Sequence, residues 1–218
     1  MPHCIYTKQV AVELEFFQKC FKGEGLKVER FFTIDAFNRT GTVVEIGTDA
    51  SPWGLGGWLL IDQQLHSYFA SPITPEDVAK FGFQIGDNKG QQLFEALAIL
   101  VAVRLWIRHW RQDRIVLKVR GDNVSALMQV VKLRPATPAH AIIARELGLV
   151  LVDLSFPPDA EHTPGVAHVL ADRLSRVHAP EANGGPPVAG TIPESLHPAI
   201  ANAICDTAPI RDNSWYHA

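Results

Sequence analysis

The stretch Val43–Gly57, VVEIGTDASPWGLGG, decides how the rest of the chain is read. Its β-branched start, Val43-Val44-Glu45-Ile46, favours a strand. That strand runs into Thr48-Asp49-Ala50-Ser51 and breaks at Gly54, Gly56 and Gly57. An acid at the C-terminal end of a strand suits a catalytic or metal-binding carboxylate, but is more often a turn or cap residue. Which of these Asp49 is depends on whether other acids end other elements in the same way.

Working outward, a second strand is expected over Gly57–Ile61, a turn at Asp62-Gln63-Gln64 and a third strand over Leu65–Ala70, which makes an antiparallel meander. Residues 71–90 carry Pro72, Pro75, Gly82, Gly86 and Gly90 and read as a long irregular excursion. Gln91–Trp110 reads as a helix with almost no polar face, hence buried on most sides. Glu95 on it either faces a cation or a donor network, or lies solvated in the first turn and complements the helix dipole. Ile115–Arg120 is a fourth strand, ending in Gly121-Asp122-Asn123 before a helix over Val124–Val131. With a helix between strands three and four, the fourth can run parallel to the first through a right-handed crossover, placing Asp49 and Asp122 at one sheet edge. Taken alone, Asp122 is also a good helix N-cap. A helix over Ala139–Asp153 and an edge strand near Pro157–Glu161 follow. The chain then turns at His162-Thr163-Pro164-Gly165 into a last helix, about Val166–Val177, that carries Asp172.

The chain has 218 residues, 47% hydrophobic and 20% charged, enough for one sizeable core and unlike a disordered or membrane protein. The longest apolar run, Ala96–Val103, is short of a membrane span. The N-terminus lacks the apolar core of a signal peptide, so an intracellular setting is expected. Cys4, Cys20 and Cys205 form no CxxC pair, which argues against a zinc site or a disulfide framework. A net charge of -3 excludes a general nucleic-acid-coating protein and leaves room for local basic surface. Arg104, Arg108, Arg111, Arg114, Lys118 and Arg120 cluster in sequence, suiting either phosphate contact or a solvated helix end. Residues 1–42 read as an N-terminal extension with a helix over Val10–Phe21 and a strand over Leu26–Thr33, residues 43–178 as the main domain. Residues 179–218 read as a Pro/Gly-rich linker and tail with a short helix near Leu196–Cys205.

Asp49, Glu95, Asp122 and Asp172 thus lie at the ends of four separate elements. Brought together, four carboxylates could not all ionise unless cations offset them. All-oxygen ligands suit Mg2+ or Mn2+ rather than zinc. Two such ions about 3.5–4 Å apart, sharing a carboxylate, form the arrangement that hydrolyses phosphodiesters by in-line attack of water.

This order of motifs resembles the type 1 ribonuclease H domain of retroelement (retrotransposon) reverse transcriptases, over about Val43–Val177. Thr48-Asp49-Ala50-Ser51 resembles the first-strand motif, Glu95-Ala96-Leu97-Ala98-Ile99 the helix motif and Gly121-Asp122-Asn123 the third. His162-Thr163-Pro164-Gly165 through Ala171-Asp172-Arg173-Leu174-Ser175-Arg176 resembles the family's ending. His168 departs from it, standing where retrotransposon members usually carry Asn, and so changes the local hydrogen bonding of that loop.

The resemblance implies an α/β fold of the ribonuclease H kind: a five-stranded mixed sheet, three antiparallel strands then parallel ones, flanked by helices. It implies a metal-dependent endonuclease that hydrolyses the RNA strand of RNA/DNA hybrids. Asp49, Glu95, Asp122 and Asp172 would hold two Mg2+ or Mn2+ ions, with Asp49 as the bridge. His162 would assist proton transfer or product release. Ser51 and Asn123 would reach nucleic-acid backbone or minor-groove atoms, and Gly54, Gly56 and Gly57 would let nucleic acid approach the sheet. The other reading is a catalytically silent domain of this fold that tethers or binds nucleic acid. No Tyr-x-Asp-Asp polymerase motif occurs, so the chain is expected to be a fragment, a domesticated domain or a truncated product, with a polymerase domain as its expected partner and residues 1–42 as a remnant of the connection. Neither a membrane nor a small-molecule cofactor is expected.

Overall fold

The computed structural model of the chain describes residues 11–23, 34, 38, 40–109, 115–133, 135, 137–152, 158–212 and 214–216. The strand expected over 26–33, together with Arg111, Arg114 and Pro157, lies outside the described residues.

Strand β1, Thr42–Ala50, is the centre of a six-stranded sheet of order β5-β4-β1-β2-β3-β6. It pairs antiparallel with β2, Gly54–Ile61, which pairs antiparallel with β3, Gln64–Pro72. The β2–β3 turn is made by Asp62 and Gln63, both at positive φ (49° and 65°), the two-residue geometry that matches strand twist. On the other side, β1 pairs parallel with β4, Ile115–Gly121, and β4 pairs parallel with β5, Asp159–His162. The meander, the parallel fourth strand and the edge position of the fifth are as expected.

Because side chains alternate across a strand, the sheet has two unlike faces. One carries Val44, Ile46, Leu55, Leu59, Phe69, Leu117 and Val119, all buried. Against it lies the central helix α3, Gln91–Trp106, whose Leu93, Phe94, Leu97, Leu100, Val101 and Trp106 are buried in turn. The wider stretch Asn88–His109 is long and apolar enough by composition to cross a membrane, but most of it is buried inside this domain. The opposite face carries an ion-pair ladder: Arg120 reaches Glu45 at 2.9 Å and Glu161 at 3.2 Å, and Lys118 reaches Glu161 at 3.4 Å. Arg104 pairs with Glu146 and Arg108 with Asp206. The described members of the basic cluster each have an acidic partner within the protein.

The helix α1, Ala11–Phe21, forms as expected. The excursion after β3 is not irregular throughout: α2, Pro75–Phe81, has Thr74 and Asp77 in a reciprocal capping box, Pro75 in its first turn and Gly82 at φ 75° as its C-cap. Helices α4, Val124–Lys132, and α5, Pro138–Val152, complete the layer over the apolar face. Helix α6, Val169–Ser175, lies on the other face against β1 and β2, where its Leu174 packs with Tyr68, Leu196 and Ile200.

The sixth strand comes from the segment read as linker and tail. After the short helix α7, His197–Ile200, β6, Ile204–Cys205, pairs parallel with β3 and lengthens the expected five-stranded sheet by one. Beyond it Arg211, 1% exposed, is held by Asp77, itself 0% exposed, through Nε at 3.0 Å and Nη2 at 2.8 Å. Arg211 also donates to Ser71 Oγ and the Pro72 carbonyl, and the Tyr216 hydroxyl donates to Asp77. Burial and the Asp77 charge push the Tyr216 hydroxyl far above the ordinary tyrosine range. Removing one partner of a buried pair leaves the other charged and unsolvated. Arg211→Ala is therefore expected to lower the unfolding free energy by about 3–5 kcal/mol in urea denaturation, with part of the loss recovered in Arg211→Ala/Asp77→Ala. A loss below about 1 kcal/mol, as for an exposed pair, would contradict this.

Candidate metal centre

The site begins at the C-terminal end of β1. Ser51 turns the chain there: its buried Oγ accepts from the Trp53 and Gly54 amides and donates to the Ser175 carbonyl at 2.7 Å. The turn role thus belongs to Ser51, leaving Asp49 free of it. Its hydroxyl also holds α6 to the β1–β2 turn. The expectation for the glycines is corrected by what lies against them. A Cβ on Gly56 would fall 2.6 Å from the Ala171 carbonyl oxygen and closer still to the Ser175 amide, and one on Gly54 would fall 2.8 Å from the Ser175 carbonyl oxygen. Gly57 is filled by the Phe69 ring. What approaches the sheet at Gly54 and Gly56 is α6, and that approach brings Asp172 and Ser175 to Asp49.

Asp122 follows β4, parallel and adjacent to β1. Asn123 is the residue that caps α4, its Oδ1 accepting from the Ser125 and Ala126 amides at 3.0 and 3.1 Å. This leaves the exposed Asp122 carboxylate outside the cap. It also gives Asn123 a structural duty beside any contact with nucleic acid. Glu95 is 5% exposed, which removes the solvated first-turn reading. Gln91, one turn earlier, donates through Nε2 to the Ala50 carbonyl and to Glu95 Oε1, the latter at 2.9 Å, and so ties α3 to the end of β1.

Asp49, Glu95 and Asp122 converge: one carboxylate oxygen from each lies within 4.8 Å of the others, a grouping able to hold a metal ion. Asp172 stands outside this group. Its Oδ1 accepts from Arg176 Nε at 2.9 Å, one turn along α6. It is still close enough to act on Asp49 through its charge. Ser175 Oγ donates to Asp49 Oδ2 at 2.6 Å, with the Asp172 carbonyl 2.8 Å away as its other acceptor.

The electrostatics follow from burial. Asp49 is pushed up to about 7, first by desolvation and then by the charges of Asp122 and Asp172, against the opposing Ser175 hydrogen bond and Arg176 charge. Glu95 is pushed well above the ordinary carboxylate range by desolvation and by Asp49, with the Gln91 hydrogen bond opposing. Two buried acids that resist ionisation beside a third, with all-oxygen donors, fit a hard divalent cation.

The two histidines differ. His162, exposed at the end of β5, donates through Nε2 to the Asp122 carbonyl at 3.1 Å. His168 is buried, and its Nε2 donates to the Thr48 carbonyl at 2.8 Å, so this residue pins the backbone just before Asp49. Ser175, Arg176, Gln91 and His168 were not singled out from sequence as site residues. The first two sit in the same Ala171–Arg176 motif as Asp172, and Gln91 stands four residues before Glu95 on one helix face. Next to the acids lies an open cavity of about 360 Å3, lined by Ala50, Pro52, Trp53, Asn88, Arg176 and Asn183 among others.

No family model matches the chain, and no curated protein matches it. Solved structures do resemble it. RNase H1 from the halophilic archaeon Halobacterium salinarum NRC-1 is 12% identical with a TM-score of 0.42, covering 61% of this chain and 92% of that one. LC11-RNase H1, isolated from compost by a metagenomic approach, is 13% identical with a TM-score of 0.43, covering 62% and 91%. A foamy viral protease-reverse transcriptase in complex with dsDNA is 12% identical with a TM-score of 0.31, covering 73% of this chain and 30% of that one.

The raised Asp49 carboxyl has a consequence for stability. A carboxyl raised above its unfolded value binds its proton more tightly when folded, so its contribution is full below the unfolded value and lost as pH rises through the folded one. With a chelator present, the wild type is expected to lose stability relative to Asp49→Asn as pH rises from about 4 to 8, ending about 1–3 kcal/mol less stable. Mg2+ should restore the wild type and not the variant. A pH-independent difference in denaturation curves would contradict this. Gly56→Ala, which pushes α6 off β2, is expected to be destabilising by about 1–3 kcal/mol and to weaken divalent-ion binding.

Proposed function

We propose that this protein is a metal-dependent nuclease that hydrolyses the RNA strand of RNA/DNA hybrids and derives from a retroelement polyprotein. The observation that carries the reaction class is the convergence of Asp49, Glu95 and Asp122 within 4.8 Å, two of them buried and reluctant to ionise without a cation. The substrate class rests on the motifs, above all the run from His162 to Arg176.

In this reading Asp49, Glu95 and Asp122 hold Mg2+ or Mn2+, and Asp172 joins them for a second ion. Such ions, if bound, would supply the activation of a water for attack on a phosphodiester and the offset of charge on its oxygens. The protein's own groups set the frame for that. Ser175 and His168 fix the carboxylate and backbone of the β1 terminus, and Gln91 fixes Glu95. His162, exposed beside Asp122, would carry a proton to or from the leaving oxygen. The duplex approaches from the exposed side that bears Asp122, His162 and Asp172, where the 2'-hydroxyls of the RNA strand distinguish it from DNA. Asn123 contributes here by holding α4 and the backbone beside Asp122. An intracellular setting and a reverse transcriptase polymerase domain as partner belong to the same proposal.

A labelled RNA/DNA hybrid incubated with the intact chain and Mg2+ should be cut in the RNA strand, while a DNA duplex should survive. Asp49→Asn is expected to lower the rate at least about 100-fold, the scale on which losing a group that stabilises the transition state acts. Equal inactivity of wild type and variant would overturn the proposal and leave a nucleic-acid-binding module as the reading.

A further inference from the structure

We propose that Arg176 is a displaceable counter-charge: it competes with a divalent cation for the Asp172 carboxylate, and once released it grips a phosphate of the bound strand in the adjoining cavity. The inference rests on the nuclease reading and adds a positioning residue to it.

Three observations support it. Arg176 Nε lies 2.9 Å from Asp172 Oδ1, so the acid that would complete the cluster is already engaged by a cation. Both side chains are about half exposed, 40% and 44%, and an ion pair screened by solvent to that degree is weak enough for a doubly charged ion to displace. Third, Arg176 lines the cavity of about 360 Å3 that opens beside Ala50 and Ser51 at the end of β1, with Trp53, Asn88 and Asn183 on its other walls. Nη1 already donates to the Asn183 carbonyl at 3.4 Å, so the head needs only a change in its last torsions to turn from Asp172 into the cavity. Its planar fork can hold two oxygens of one phosphate, which an ammonium holds only as a point charge. The remaining positive charge beside the cluster also means that Arg176 opposes cation binding until it moves.

The test uses the intact chain and Mn2+ alone, followed by titration calorimetry at pH 7.5. Wild type should bind Mn2+, and Arg176→Ala should bind it about three- to tenfold more tightly, because the competitor is gone. Arg176→Lys should stay within about twofold of wild type. In a second arm, the affinity for an RNA/DNA hybrid with a cleavage-resistant phosphorothioate RNA strand is followed by anisotropy in Mn2+. Here Arg176→Ala should bind about tenfold more weakly, with a salt slope smaller by about one charge, and Arg176→Lys should recover part of the loss. Unchanged or weaker Mn2+ binding by a folded Arg176→Ala would overturn the inference while leaving the nuclease reading standing. Failure of the wild type to bind Mn2+ at all would overturn both.

Discussion

Like-charge repulsion in a place poor in water is the constraint around which this structure is arranged. Asp49 and Glu95 are each 5% exposed, and Asp122 is within 4.8 Å of both. No fold gains stability from such an arrangement, because desolvation and mutual repulsion both disfavour the charged forms. The strain is tolerated since the elements that carry the acids are fixed by unrelated means. Asp49 ends the central strand, paired on both sides; Glu95 sits on the most buried helix; Asp122 follows the strand parallel to β1. The acids are held together by apolar packing elsewhere, and a cation is the one addition that turns their repulsion into binding energy.

Helix α6 shows how narrow the tolerance is. It contacts the sheet backbone to backbone at Gly54 and Gly56, where no side chain fits. Ser51 and Ser175 then cross-link the two: one hydroxyl donates to a carbonyl of α6, the other to Asp49. His168 adds a third tie at the Thr48 carbonyl. On the β3 edge of the meander the C-terminal segment braces β3 and α2 through Arg211 and Asp77, while Trp106 and Arg108 both hold Asp206. The sheet is thus closed at one edge by a segment whose composition alone suggested a loose tail.

Much of this was legible in the sequence, for physical reasons. β-branched runs bounded by turn residues gave the meander, and an apolar stretch with no polar face gave the central helix. The acids stood out because each ends a separate element, and their order resembles one family's motifs. What stayed hidden depends on partners far along the chain. Arg211 and Asp77 are 134 residues apart, and nothing local marks either as buried. The two-residue β6 is too short to leave a pattern. Glycine reports that something comes close without saying what, so Gly54 and Gly56 read as room for nucleic acid when the visitor is α6. The capping box at Thr74 and Asp77 was readable and was masked by the surrounding Pro and Gly. Asp172 shows the limit for the site itself: its place in the motif was clear, its engagement with Arg176 was not, although the two are spaced as neighbours on a helix.

The most direct measurement of the central claim is the position of manganese in crystals of the intact chain soaked in Mn2+, located by its anomalous scattering. A peak is expected between the carboxylates of Asp49, Glu95 and Asp122, lost in Glu95→Gln or reduced to partial occupancy. A peak elsewhere, or none between those three acids in crystals that diffract well enough to show it, would contradict the account.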